Sequence, residues 1–148
     1  MKKNIIIFSL IFFLSSCGFT PIYQKNTKVN FSIEQIDYSG DRELNNFLKT
    51  NLDKYKNKKT NNKIYIETTS VFTKTILSKN ATGEVTSYQL KAQVEFLIKP
   101  KNKVIIMTEK YIMNSISDKF EETRYVRTIK QNFASSIASK LSSELIID

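Results

Sequence analysis

The segment "SYQLKAQVEFLIK", residues 87–99, alternates apolar and polar side chains along most of its length. The alternate residues from Tyr88 to Ile98 point to one side of an extended chain, and the polar residues between them point to the other. The pattern predicts a β-strand with one face in a hydrophobic core and the other facing water or a polar partner. A second layer must therefore cover the apolar face.

Strand patterns lie on both sides of this segment. Residues 63–79 combine apolar residues with four threonines, and β-branched side chains favour a pleated strand. The Gly-containing sequence "NATGE", 80–84, predicts a hairpin loop, and "KPKNK", 99–103, predicts a second turn before a last strand at 104–114. These three strands should form an antiparallel meander.

Two helices and one more strand complete the predicted fold. Residues 29–40 alternate like a strand, and residues 41–55 place apolar side chains three and four positions apart, with Asp41 or Ser39 as the cap. A final helix should begin near Asp118, with Glu121 completing a capping-box-like pair. Its apolar stripe consists of Ile129, Phe133, Ile137, Leu141 and Leu145. We predict an α+β two-layer sandwich in the order β-α-β-β-β-α, with a four-stranded, mainly antiparallel sheet and both helices on one face.

The N-terminal region has the features of a secretory signal. Met1-Lys2-Lys3 is basic, residues 5–14 are almost entirely apolar, and the run is too short to span a bilayer. Leu14-Ser15-Ser16-Cys17 resembles the lipobox of bacterial lipoproteins, which implies cleavage before Cys17 and acylation of that cysteine. We expect a signal peptide at 1–16, a lipidated tether at 17–28 and one domain at 29–148. An ordinary signal peptide is the alternative.

The composition gives a basic chain with few catalytic groups. Removing Lys2 and Lys3 leaves 21 basic and 14 acidic residues, a formal charge of +7, which suggests an anionic partner. A secreted location argues against nucleic acid, and A+T-rich codon usage is a competing explanation for the 20 lysines. Histidine, the commonest general base and metal ligand, does not occur in the sequence. We therefore expect a binding protein without cofactor or metal, and not an enzyme.

The sequence Cys17-Gly18-Phe19-Thr20-Pro21-Ile22-Tyr23 resembles the "CGFxPLY" start of the LptE family of lipopolysaccharide-assembly lipoproteins (RlpB type), especially its alphaproteobacterial form. The order of elements and the rhythm of Tyr88 to Phe96 are similar too. The resemblance implies a lipoprotein on the periplasmic side of the outer membrane. It also implies a role as a plug and assembly aid of the LptD β-barrel and a helper in lipopolysaccharide delivery.

Lysines that could pair with the phosphates and carboxylates of lipopolysaccharide occur in clusters. We favour Lys91, Lys99, Lys101 and Lys103 as glycolipid-binding residues, because a strand pair would hold them. A connector cluster, expected to be mobile, contains Lys54, Lys56, Lys58, Lys59 and Lys63. A third cluster contains Arg124, Arg127 and Lys130, whose arginines could instead pair with Glu121 and Glu122 on their own helix. Solvated surface charge is the alternative for each cluster.

Two other functions fit the same composition. The chain could be a lipoprotein subunit of another envelope system, such as an ABC lipid-transport auxiliary protein or a secretin pilotin. It could also be a periplasmic binder of an anionic glycolipid without a barrel partner. The heptapeptide at Cys17 favours the LptE reading over both.

Overall fold

The computed structural model describes residues 29–147, so Cys17, the signal peptide and the tether lie outside the described residues. The three predicted meander strands are present as β2 (Lys63–Lys79), β3 (Val85–Lys99) and β4 (Lys103–Asn114). β3 lies between the other two and pairs antiparallel with each, Val94 standing beside Ser70 and Met107. The alternation that predicted β3 places Leu90 to Ile98 at even positions in the core.

β1 (Ser32–Gly40) is the other edge strand, and it pairs parallel with β2. The parallel pairing follows from α1 (Arg42–Leu52), which carries the chain back across the sheet before β2 begins. A bulge between Ile33 and Gln35 shifts the side-chain phase of β1. Ile36 therefore packs against the same core as Ile33, although an odd number of positions separates them.

Both helices lie on one face of the sheet, and the α+β prediction is confirmed. α1, a short 3-10 turn (Asp53–Tyr55) and α2 (Lys119–Ile147) bury the predicted apolar stripes against the even-numbered positions of β3. The most buried helical residues include Leu44, Leu48, Ile137 and Leu141, each with an exposed fraction of 0%. Within residues 29–147, no helix lies on the other face of the sheet, which we call the helix-free face.

The helix starts follow the sequence closely. The Asp41 carboxylate accepts a hydrogen bond from the Leu44 amide at 2.7 Å, so Asp41 and not Ser39 caps α1. Asp118 accepts from the amides of Phe120 and Glu121 at 2.8 and 3.0 Å and caps α2. Asp118 therefore caps α2 as predicted. The Glu121 carboxylate, which was expected to complete the capping box, instead pairs with Arg124 at 3.1 Å.

Candidate functional site

The four lysines favoured for glycolipid binding lie in two separate places. Lys91 is near the middle of β3, next to Thr73 of β2 and Lys110 of β4. Lys99 ends the same strand eight positions later, about 26 Å away at the rise of an extended chain. Lys91 and the hairpin lysines therefore cannot hold one headgroup together.

The three hairpin lysines also point in different directions. Lys99 lies on the helix-free face, where it forms an ion pair with Glu67 of β2. Lys101 is exposed in the turn, which Asn102 closes with a positive φ of 53°. Lys103 stands beside Ile98, on the side of the sheet that carries the helices. Lys101 is thus the hairpin lysine most open to an external ligand.

A small apolar pocket opens beside Lys101 and Lys103 at the end of the sandwich. Its other lining residues are Phe31, Asn62, Ile64, Ile98 and Leu145. Its volume of ≈ 20 Å³ is enough for about one water-sized group and too small for an acyl chain. Contact with a glycolipid at this hairpin would therefore involve the charges of the headgroup.

The connector between α1 and β2 is tied to the start of β1, contrary to our expectation of a mobile segment. The Ser32 amide donates to the Asn62 carbonyl at 2.8 Å, and the Lys58 amide donates to the Ser32 hydroxyl at 3.0 Å. The Thr60 hydroxyl donates to the Asn30 carbonyl at 2.9 Å. The composition of the segment suggested a loop, but bonds to a distant strand are not visible in a local pattern.

The three cations of the third cluster, all in α2, form ion pairs with acidic residues of the same domain. Arg124 pairs with Glu121 at 3.1 Å, as one alternative anticipated. Arg127 instead contacts Glu43 of α1 at 3.4 Å, because the two helices lie side by side. Lys130 is 8% exposed and pairs with Asp41 and Glu43 at 3.3 and 3.0 Å. These contacts join the N-terminal halves of the helices and favour a structural role for this cluster.

A second ion pair, between a buried carboxylate and a lysine that is still partly open to solvent, joins the sheet to α2. Lys74 of β2 contacts the Glu122 carboxylate at 2.5 Å, and its ammonium lies 4.0 Å from the centre of the Tyr88 ring. Glu122 is 7% exposed. The hydrogen bond from Lys74 outweighs burial and holds the pKa of Glu122 below its ordinary value. The Glu122 carboxylate is therefore charged at neutral pH.

The helix-free face of the sheet exposes more apolar surface than the sequence analysis anticipated. Its large exposed residues are Tyr65, Val71, Val104, Ile106 and Ile112. Ile106 and Ile112 are 59% and 58% exposed, on an edge strand next to Lys110. The signal was present in "VIIM", 104–107, where apolar residues occupy both faces of β4. Exposed apolar groups of this extent often mark interaction sites.

No metal-binding cluster of acidic, histidine or cysteine side chains occurs within residues 29–147. In that same part of the chain, neither helix is long and apolar enough to cross a bilayer.

Comparison with known proteins gives matches in structure but not in sequence. Neither a protein-family model nor a curated protein matches the chain. The rare lipoprotein B of Shewanella oneidensis superposes with a TM-score of 0.57 at 16% identity, over 75% of this chain and 92% of that one. A minor lipoprotein of Acinetobacter baumannii gives 0.52 at 14%, over 75% and 94%. A lipoprotein B of Nitrosomonas europaea gives 0.52 at 12%, over 77% and 83%. The chain shares the fold of these lipoproteins.

Proposed function

We propose that this chain is an outer-membrane lipoprotein, acylated at Cys17, that plugs and helps to assemble an LptD-type β-barrel. In this role it assists the passage of lipopolysaccharide to the cell surface, and it acts by binding and not by catalysis. The observation that carries the proposal is the agreement of two independent features. The lipobox with its heptapeptide resembles RlpB-type LptE proteins, and the fold is that of rare lipoprotein B.

The surface of the domain supports a role inside a larger partner. The uncovered sheet face displays Val104, Ile106 and Ile112 beside polar side chains, which suits contact with a wall of mixed polarity. Lys91 and Lys101 remain our candidates for lipopolysaccharide headgroups, as two separate contacts. Lys99 and Lys103 stay part of that prediction, with Lys99 also engaged by Glu67.

The experiment that tests the proposal is purification of the lipidated protein from detergent-solubilised envelopes, followed by mass spectrometry of proteins recovered at a near one-to-one ratio. We expect a large outer-membrane barrel of the LptD type. Recovery of a transport ATPase or a secretin would assign the chain to another envelope system. Recovery of no partner, with stable behaviour after removal of the anchor, would favour a free-standing glycolipid binder.

The lipid anchor is tested by Cys17→Ala. We expect this variant to keep its first 16 residues and to remain in the inner membrane, because the lipoprotein signal peptidase acts on an acylated cysteine. A Cys17→Ala protein that is cleaved normally and reaches the outer membrane would contradict the lipobox assignment.

Single charge reversals test the glycolipid contacts. Lys91→Glu and Lys101→Glu should each weaken binding of purified lipopolysaccharide by roughly fivefold or more, since each lysine near an anionic surface contributes about that factor. Lys79→Glu, at the exposed end of β2, is the matched control. If all three variants bind lipopolysaccharide equally well, Lys91 and Lys101 are ordinary solvated surface charges and not contacts for the glycolipid.

A further inference from the structure

Two lysine clusters that lie far apart in the sequence come together at one end of the sandwich, where the described chain also begins. Asn62 of the connector and Lys101 of the hairpin line the same pocket, together with Leu145 near the end of α2. The Asn30 side chain donates to the Ile146 carbonyl at 3.4 Å, so the chain start is at this end as well. We call this the basic end: residues 29–34, 53–63, 99–103 and 144–147.

The charge of the molecule is polarised along the strands. The basic end contains eight lysines and three acids, whereas the opposite end, residues 41–43, 79–84 and 118–124, contains four basic and six acidic residues. A codon bias toward lysine would not by itself favour one end of the fold over the other. The asymmetry arises because segments 53–63, which follow α1, and 99–103, which join β3 to β4, lie at the same end of the sheet and contain all eight lysines.

Four of these lysines are open to an external partner. Lys56, Lys63 and Lys99 pair with Asp53, Glu34 and Glu67. Among residues 29–147, the exposed lysines of the basic end that form no ion pair are Lys54, Lys58, Lys59 and Lys101. The bonds from the connector to Ser32 and Asn30 hold Lys58 and Lys59 on the domain surface. The ammonium of Lys54 lies 5.1 Å from the centre of the Tyr55 ring.

We propose that the basic end docks on the anionic phospholipid headgroups of the leaflet that carries the lipid anchor, with Lys54, Lys58, Lys59 and Lys101 making the contact. The inference rests on the proposed acylation of Cys17, which is 12 positions before Val29. An extended tether of that length reaches about 40 Å, so acylation alone leaves the domain free to move away from the bilayer. Basic side chains near an anionic surface would hold the domain itself against the leaflet, at about 1 kcal/mol for each lysine.

The proposal predicts which lysines become protected from chemical acetylation. Lipidated protein is placed in nanodiscs of phosphatidylcholine, with or without about 30% phosphatidylglycerol, and brief acetylation is followed by mass spectrometry. With phosphatidylglycerol, we expect slower modification of Lys54, Lys58, Lys59 and Lys101 and no change at Lys79 and Lys119 of the opposite end. Salt at about 1 M, where the Debye length is about 3 Å, should remove the protection.

A matched pair of variants separates docking from nonspecific charge. In a triple variant with Lys54→Gln, Lys58→Gln and Lys59→Gln, Lys101 should lose its protection, because three lysines contribute on the order of a hundredfold to the docked population. The control carries Arg42→Gln, Lys49→Gln and Lys79→Gln, exposed residues outside the basic end, and should keep it. Equal loss in the two variants would overturn the proposal.

The remaining outcomes are equally decisive. Acetylation rates that do not differ between the two nanodiscs would refute membrane docking. Protection that appears only after lipopolysaccharide is added would assign the basic end to that glycolipid and would also refute it. Because no barrel or lipopolysaccharide is present in the main experiment, its failure would leave the proposed function untouched. Intact mass reports the acylation of Cys17 separately.

Discussion

Gly40, at the end of β1, occupies a position that no other residue can take without movement of the backbone. Its φ is +92°, and a Cβ built there would lie 1.9 Å from the carbonyl oxygen of Ser70. We expect Gly40→Ala to lower the free energy of unfolding by more than about 2 kcal/mol, through the positive φ and the clash together. Urea denaturation of the purified protein measures this change.

Gly83 provides the control for that substitution. It has a similar φ of +86°, but a Cβ there would meet nothing within 4 Å. Gly83→Ala should therefore cost only the conformational strain, about 1 kcal/mol. Equal losses for the two variants would mean that the approach of Gly40 to Ser70 is not the source of the larger effect.

The ion pair of the buried Glu122 carboxylate with Lys74 should make stability depend on pH. Glu122→Gln leaves Lys74 without its counter-charge, and we expect a loss of about 2 kcal/mol at pH 7. The pKa of Glu122 is lower in the folded protein than its ordinary value of 4.5, so its stabilising contribution is complete above that pH. It is lost as the pH falls through the lowered folded pKa.

Denaturation curves of wild type and Glu122→Gln should therefore converge as the pH falls through the lowered pKa of the folded Glu122 carboxyl. Glu121→Gln is the matched control on the same helix, because its pair with Arg124 is largely exposed, and such pairs contribute about 0–1 kcal/mol. A difference between wild type and Glu122→Gln that persists unchanged at low pH would show that the charge of Glu122 is not its cause.

At the level of elements, the same Ile→Ala substitution should be costly on the helix-covered side of the sheet and almost without effect on the helix-free face. Ile137 of α2 is fully buried, so Ile137→Ala should lower the free energy of unfolding by roughly 3 kcal/mol through lost transfer energy and a cavity. Ile106 of β4 is 59% exposed, and Ile106→Ala should change it by no more than about 0.5 kcal/mol. Similar losses of unfolding free energy in the two variants would contradict the conclusion that Ile106 lies on an uncovered face of the sheet.

The elements with strong local periodicity were predicted well from the sequence. β3 and the stripe of α2 follow from spacing alone, because each buries a single face. The bulge in β1 and the ion pair between Arg127 and Glu43 could not be predicted in this way. Both depend on which elements become neighbours, and this information is not contained in a window of sequence.

For the whole molecule, the candidate site also combines features that the sequence predicts with features that depend on how distant segments pack. The sequence identified Lys99, Lys101 and Lys103 as one cluster, and the structure separates them because successive side chains of a strand and its turn point to different sides. Conversely, the sequence analysis expected the connector to be mobile, whereas hydrogen bonds join it to the start of β1, and its Asn62 lines the same pocket as Lys101. Sequence spacing therefore found the charged residues but not the surfaces that they share.

If the domain fills a barrel, the helix-free face is the surface best suited to meet the barrel wall. We expect Ile106→Glu to reduce recovery of the barrel partner by at least about tenfold, because contact would remove an unpaired carboxylate from water. Ile106 is largely exposed, so the same change should leave the denaturation midpoint nearly unaltered.

Phe120→Glu is the control for this last substitution, since Phe120 is 70% exposed at the start of α2, away from the helix-free face. It should leave recovery of the barrel unchanged. If Phe120→Glu abolishes recovery and Ile106→Glu does not, the partner contacts the helical layer instead. In that case the apolar residues of β4 would need another explanation, and the fold would be oriented differently in its partner.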